Sequence, residues 1–371
     1  KSKITEARNV EEIANSSNNF LSFIYADGNN MGGYIQKIKT PGEYRQFSED
    51  IFEATEQSVY YALANNLHPH ELKDLQKTEH QSRNGTFVHP FEIITVGGDD
   101  VLILVPANKA LAIAKDIGEK FEEILASKGR YKIPESDKLE KPERSPHRYR
   151  PEEAVTRDTQ LSTSMGVLTI AYDSPIYYAN KLANQLLKSA KKRAKHLKKK
   201  DVQYFGGTVD ILTLKSVTMI SSNIEEFRKE GLTIESQQKL QLYATPYTLH
   251  EIGGLIKTIQ TFQEVGFPRS QLYQIRSLLE QGKRTAILNY RYFAVRLKKQ
   301  ALRDQLKNQF DEAWCSAKTN NGNLAPWMTF IDEEQKTIYE TIWRDIVELY
   351  PFIEPEEQTD STSATPSEIQ Q

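Results

Sequence analysis

Cysteine is nearly missing from this chain: Cys315 is the only one in 371 residues, so no internal disulfide and no cysteine-built zinc site can form. That usage fits a reducing cytosol, and a cytoplasmic location is expected. No run of about 18 apolar residues exists, which leaves no membrane-spanning helix to place. The first residues also lack the basic-then-apolar pattern of a secretory signal. An excess of one charge is missing too. With 48 basic against 50 acidic side chains, the molecule as a whole does not attract polyanions, and any nucleic-acid surface must be a local patch. The length allows two or three soluble domains with cores of their own. Because the sequence opens on Lys1 rather than Met, it reads as a piece of something longer.

Against that background the stretch Phe91 to Pro106 stands out. Two apolar, β-branched runs flank Gly97-Gly98-Asp99-Asp100, which predicts a β-hairpin with a four-residue turn carrying acids at its tip. Gly and Asp are also what any solvated turn prefers, so the motif alone decides little. A second acid in a matching context argues for more. Phe20 to Asp27 forms another short apolar strand ending on an acid, followed by Gly28-Asn29-Asn30-Met31-Gly32-Gly33. If the two strands are neighbours in one sheet, Asp27 meets Asp99 and Asp100 at the same end of it. Adjacent carboxylates repel unless a cation compensates. Mg²⁺ suits such a cluster, taking one or two carboxylates plus substrate phosphate oxygens at roughly 2.0 to 2.1 Å. Two ions about 3.5 to 4 Å apart can activate a hydroxyl and stabilise the leaving oxygen of a displacement at phosphorus. Backbone N–H groups of the Gly28 to Gly33 turn, leading into a helix, would hold a triphosphate. Phosphoryl transfer is therefore the expected chemistry.

Taken in order, residues 1–19 are polar and read as a lead-in. Tyr44, Phe47, Ile51, Thr55, Val59 and Ala62 recur at helical spacing and predict a long amphipathic helix from Pro41 to about Leu67. Residues 73–90 read as a polar surface excursion. A second helix is expected over Ala107 to Ala126. Residues 128–160, with four prolines among mixed charges, read as a flexible insertion. Leu161 to Tyr172 is the next strand, and Ser174 with Pro175 is expected to cap the helix that follows. That helix buries Ile176, Ala179, Ala183, Leu186, Ala190 and Leu197, and carries Lys188, Lys191, Lys192, Lys195 and Lys199. Such a lysine stripe is ordinarily a solvated face, but beside a triphosphate its ammonium groups would pair with phosphate. Asp201 to Gly207 is expected to add a short strand and turn. A central antiparallel hairpin crossed by helices on one face is the ferredoxin-like, or Palm, arrangement.

At these residues the sequence resembles a known family: the large, Palm-containing subunit of type III CRISPR effector complexes, and more distantly the GGDEF nucleotide cyclases. The resemblance rests on Ala26-Asp27-Gly28-Asn29-Asn30-Met31-Gly32, on Gly97-Gly98-Asp99-Asp100, and on Ser164-Met165-Gly166-Val167 with the Leu186-Leu187-Lys188-Ser189-Ala190-Lys191 helix. It continues at Ala244-Thr245-Pro246-Tyr247-Thr248-Leu249 and Gly266-Phe267-Pro268-Arg269-Ser270-Gln271-Leu272-Tyr273, covering about residues 20–310. It implies synthesis of cyclic oligoadenylates from ATP with Mg²⁺ or Mn²⁺, switched on when the assembled complex, with its other subunits and guide RNA, binds target RNA. It further implies that Asp27 and Asp99 are metal ligands and that Asp100 is the second hairpin acid. Gly28, Asn29, Asn30, Gly97, Gly98, Lys191 and Lys195 would then bind the nucleotide. Asn29 stands where many relatives carry another acid. Relatives that cyclise oligoadenylate pair two Palm domains and often add an HD nuclease. This sequence has one Gly-Gly-Asp-Asp and no His-Asp dipeptide. A second Palm is therefore expected in a missing N-terminal part or another chain.

Beyond the Palm, expected over residues 20–235, Val217 to Ile220 reads as an edge strand, and residues 236–353 read as an α-helical bundle domain. The whole is an α+β chain. Arg284, Arg291, Arg296, Lys298, Lys299 and Arg303, with Tyr290, Tyr292 and Phe293, read as a solvated face over an aromatic core or as a contact for RNA or a neighbouring subunit. Residues 354–371 read as a disordered acidic tail. Two other functions fit the sequence: a non-catalytic scaffold of the RNA-guided complex, and a GGDEF-like cyclase using GTP, which Asp100 and the long helical tail disfavour.

Overall fold

The computed structural model describes residues 4–135, 145–155, 157–199, 202–215, 223–235, 238–315, 324–331 and 336–355. The expected lead-in is ordered. It holds β1 (Thr5–Glu6) and α1 (Val10–Ala14), whose first turn is capped by the Asn9 side chain accepting from the Glu12 N–H at 3.0 Å. After β2 (Phe20–Asn29) and α2 (Met31–Ile35) comes the long helix α3 (Pro41–Asn66), with Pro41 in its first turn and Thr40 as cap. The polar stretch after it contains β3 (His70–Glu71) and β4 (Phe87–His89), which join β1 in a small sheet of order β1-β4-β3. Glu11 and Glu12 are each 1% exposed and anchor this module: His80 bonds Glu11, and Arg83 grips Glu12 through two 2.8 Å bonds. Local pattern missed this because the partners lie about 70 residues apart.

The main sheet follows from two-fold alternation in its strands. It comprises β2, β5 (Glu92–Gly97), β6 (Asp100–Pro106), β7 (Ser162–Ala171), β8 (Thr208–Leu214) and a later strand from the C-terminal region, with α4 (Ala110–Ser127) and α5 (Ile176–Leu197) between them. Running in space from β7 through β2 and β6 to β5, the antiparallel part has the ferredoxin-like order, and β8 extends it parallel to β7. The added strand thus starts at Thr208, after the stretch expected to form it, and Asp201 lies outside the described residues. Helices cover both faces rather than one. In β2, Ile24 and Ala26 point toward α3 and α4, sharing a core with Val59, Ala62, Ile113 and Ile117. Phe23 points the other way and meets Ala179, Leu182 and Leu186 of α5, together with Leu168 and Ile170. Both sets of alternate positions are apolar, so both faces demand cover. Over Gly166, α5 lies so close that a Cβ would sit 2.5 Å from the Leu187 nitrogen and 2.8 Å from the Leu186 Cβ. Pro175 itself occupies the N-cap of α5, and Ser174 makes no capping bond.

The C-terminal region is mainly helical and carries strands the periodicity did not show. It contains α6 (Ile224–Gly231), β9 (Thr233–Glu235), β10 (Lys239–Gln241) and β11 (Tyr247–Thr248), the last pairing antiparallel with β8. Helices α7 (Leu249–Glu264), α8 (Arg269–Leu279), α9 (Lys283–Arg296) and α10 (Gln300–Leu306) follow. Then come β12 (Met328–Ile331), β13 (Thr337–Glu340) and α11 (Trp343–Leu349). A four-stranded sheet of order β12-β13-β10-β9 stands beside the helices. Trp314, Trp327 and Trp343 are fully buried in a core continuous with that of the main sheet. In α9, Tyr290 is buried while Tyr292 is 59% exposed.

The described part of the expected flexible insertion is docked. Tyr131, His147 and Tyr149 are buried, and Arg148 bonds Glu251, Glu340 and the carbonyls of Ala244 and Pro246. Residues 136–144 and 156 lie outside the described set, as do 216–222, where an edge strand was expected, and 356–371 of the expected tail. Glu354, at the start of that tail, bonds Asn108 and Lys109. Among the described residues, no helix is long and apolar enough to cross a membrane.

Candidate active site

Asp27 sits near the end of β2, paired with Ser164 of β7, while Ala26 pairs with Val101 of β6. This register brings Asp27 to the end of the sheet where β5 turns into β6. The turn is shorter than expected. Gly97 and Asp100 close it as a pair, leaving Gly98 and Asp99 as its two central residues. Gly98 has φ of +62° and is the turn's only residue in the left-handed region, the arrangement of a type II′ hairpin.

The acids therefore meet as the strand pattern requires. Asp99 reaches back over β2: a Cβ on Gly28 would lie 2.6 Å from the Asp99 Oδ2, so the absence of a side chain at 28 admits the carboxylate. Burial raises the Asp99 pKa, and the charges of Asp27 and Asp100 raise it further. Asp100 is raised by burial and then by Asp27, with Lys191 acting in the opposite direction. Even the Tyr25 hydroxyl is pushed up, first by burial and then by Asp100 and Asp27. The end of the sheet thus carries concentrated negative charge.

Across the α5 interface, Lys191 Nζ donates to Asp27 Oδ2. Asp27 and Lys191 are 29% and 34% exposed, so the pair opens to solvent. Lys195 is exposed one turn further along α5. The turn after β2 is tighter than the expected glycine-rich loop. Asn30 alone bridges β2 and the five-residue α2, with φ of +67°. Its side chain donates to the Gln160 carbonyl at 3.2 Å and accepts from Lys198 Nζ at 2.8 Å. The Asn29 amide donates to Ser162 Oγ at 3.0 Å and Ser164 Oγ at 2.8 Å.

Asp27, Asp99, Asp100, Gly28, Asn29, Asn30, Gly97, Gly98 and Lys191 are thus gathered around one end of the sheet. Lys198 was not singled out from the sequence. Its spacing of seven from Lys191, which returns to the same helix face, carries the signal. Ser162 gave no local signal, and Ser164 was named only within the Ser164-Met165-Gly166-Val167 stretch of the resemblance. Among the described residues, no group of three or more His, Cys, Asp or Glu side chains stands in a metal-holding arrangement. Asp27 is turned toward Lys191 instead.

A family model described as Cas10/Cmr2, second palm domain, matches residues 20–203. No curated protein matches the chain. Among solved structures, it is similar to the Csm1-Csm4 cassette in complex with cA4, at 12% identity and a TM-score of 0.51 over 92% of this chain. It is also similar to Csm1 in T.onnurineus, at 12% identity and a TM-score of 0.49 over 82% of this chain. The chain spans 38% and 36% of those two proteins. Residues 20–203 thus form a palm of the Cas10/Cmr2 second palm domain family.

Proposed function

We propose that this chain is a nucleotidyltransferase that makes cyclic oligoadenylates from ATP within an RNA-guided type III CRISPR complex. Its partners would be the other subunits, guide and target RNA, and a second Palm domain in a longer form of the chain or in another chain. The observation that carries the reading is the meeting of Asp27, Asp99 and Asp100 under Lys191, on the palm that the family match identifies.

The donor set fits a hard divalent cation. Every candidate ligand is a carboxylate oxygen, and Asp99 and Asp100 have raised pKa values that a nearby cation would relieve. Asp27, Asp99 and Asp100 would hold Mg²⁺ or Mn²⁺, which when bound supplies compensation for the charge on the reacting phosphate. The 3′-hydroxyl oxygen of one ATP, giving up its proton to solvent, would form a bond to the α-phosphorus of another as the bond to pyrophosphate breaks. Lys191, released from Asp27, pairs with the terminal phosphates, and Lys195 can join it one turn on. Gly28 and Gly98 keep β2 and the hairpin tip free of bulk where the triphosphate approaches. Asn30, locked by Gln160 and Lys198, fixes the end of β2.

The test is product formation from ATP and Mg²⁺ by the assembled complex with target RNA, resolved by chromatography. Wild type is expected to release cyclic oligoadenylate, while Asp27→Ala and Asp99→Ala yield none although both still unfold in a cooperative melt. Turnover retained in either variant overturns the reading. One observation favours a scaffold instead: Lys191 already neutralises Asp27, as a purely structural ion pair would. Titration calorimetry showing no ATP or Mg²⁺ binding would favour that reading.

A further inference from the structure

Beneath the acids, a chain of buried hydroxyls crosses three strands and ends on α5. The Asn29 Nδ2 lies 2.8 Å from Ser164 Oγ, which lies 2.9 Å from Thr208 Oγ1, which lies 2.7 Å from the carbonyl oxygen of Ala190. Ser162, on the second branch from Asn29, Ser164 and Thr208 are all 0% exposed. Ala190 immediately precedes Lys191.

The direction of this chain is fixed by counting protons. A carbonyl can only accept, so the one proton of Thr208 is committed to Ala190. Thr208 must then accept from Ser164, whose own proton is spent in turn. Ser164 can receive from Asn29 only if residue 29 donates, and an amide nitrogen donates twice, once to each serine. An ionised carboxylate at 29 would draw the Ser164 proton to itself. Ser164 and Thr208 would then face each other with lone pairs at 2.9 Å, in a place water does not reach.

We propose that Asn29 is a positioning residue for Lys191, acting through Ser164 and Thr208 to hold the α5 backbone at Ala190 at a fixed height over Asp27. The chain links β2, β7 and β8 to the turn of α5 that carries the lysine, and each link is needed for the next. The inference rests on the nucleotidyltransferase reading for its effect on ATP, but its geometric content does not depend on activity.

Two readouts separate these. In the full-length protein, acylation of Lys191 by acetic anhydride is followed by mass spectrometry, with exposed Lys188 as internal reference. Thr208→Val and Asn29→Ala are expected to acylate Lys191 several-fold faster than wild type, as the ammonium leaves Asp27. The double variant should react no faster than the worse single one, because the links act in series. In the assembled complex the same variants should raise KM for ATP about tenfold while moving kcat less. Should Thr208→Val fail to fold, Ser164→Ala interrupts the same chain. Unchanged Lys191 reactivity in both single variants, or additive effects in the double, overturns the proposal. Faster acylation of the variants, together with a wild-type complex that makes no product, leaves the positioning role standing and sinks the nucleotidyltransferase reading instead.

Discussion

Lys191 and Asp27 are joined across the interface of α5 with β2, ammonium on carboxylate, where the acid cluster borders a cation. Partial exposure of both partners makes the pair worth little for folding, about 0 to 1 kcal/mol. Replacing the lysine should therefore affect function far more than stability. Lys191→Ala is expected to lower kcat/KM for ATP about 100-fold, as loss of a preorganised charge does, and to leave the melting temperature nearly unchanged. Initial rates and a thermal scan of the same preparation decide it.

Asp99 and Asp100 both have pKa values raised on folding, so the native state retains protons that the unfolded chain releases. Their contribution to stability therefore falls as pH rises through and above the ordinary carboxylate range. Mg²⁺ should stabilise the protein, by about 2.7 kcal/mol at 100 times its Kd, and more at pH 8 than at pH 5. Asp99→Asn should raise the melting temperature without Mg²⁺ at pH 8 and diminish the increment on adding it. Scanning fluorimetry at the two pH values measures both.

Glu122 is buried in α4, and its carboxylate accepts a hydrogen bond from the Gly207 N–H at 2.7 Å. Burial pushes its carboxyl up to about 7, against the pull of the Gly207 bond and the charge of Arg157. Because the folded value lies above the unfolded one, stability from this group is complete below about pH 4.5 and is lost as pH rises toward 7. Glu122→Gln keeps the acceptor and removes the titration. It should add up to about 3 kcal/mol at pH 8 and nothing at pH 4, read from urea midpoints.

Arg148 holds the middle of the 128–160 stretch against α7, and its charge helps bring Glu251 down to about 2 in spite of burial. Here the sign reverses: the stability Glu251 contributes is present above pH 4.5 and is lost as pH falls toward 2. Arg148→Met strands a buried carboxylate and should cost about 3 to 5 kcal/mol. Changing Glu251→Leu in the same chain should recover part of that. Chemical denaturation of the single and double variants measures the difference.

Much of the palm was legible because its signals are local. Short apolar, β-branched runs marked β2 and the hairpin, period 3.6 marked α3 and α4, and acids at strand ends marked the residues that the register then brought together. What escaped depends on partners far off in sequence. The docking of His147 and Arg148 follows from Thr248 and Glu251, about 100 residues away. The pairing of β11 with β8 is likewise set by tertiary contact. Prolines and charges made the 128–160 stretch look loose, since composition does not reveal that one arginine has five donors to satisfy. Asn29 shows the same limit at the site: its type was visible, but its two hydroxyl partners belong to a strand more than 130 positions later.

Gly166 touches neither acid nor lysine, yet α5 rests its main chain directly on that residue. A methyl group there would act as a shim, tilting the helix off β7 and carrying the Lys191 ammonium out of reach of Asp27. The seat of the lysine is thereby set from below, by a hydrogen atom where any other residue would place carbon.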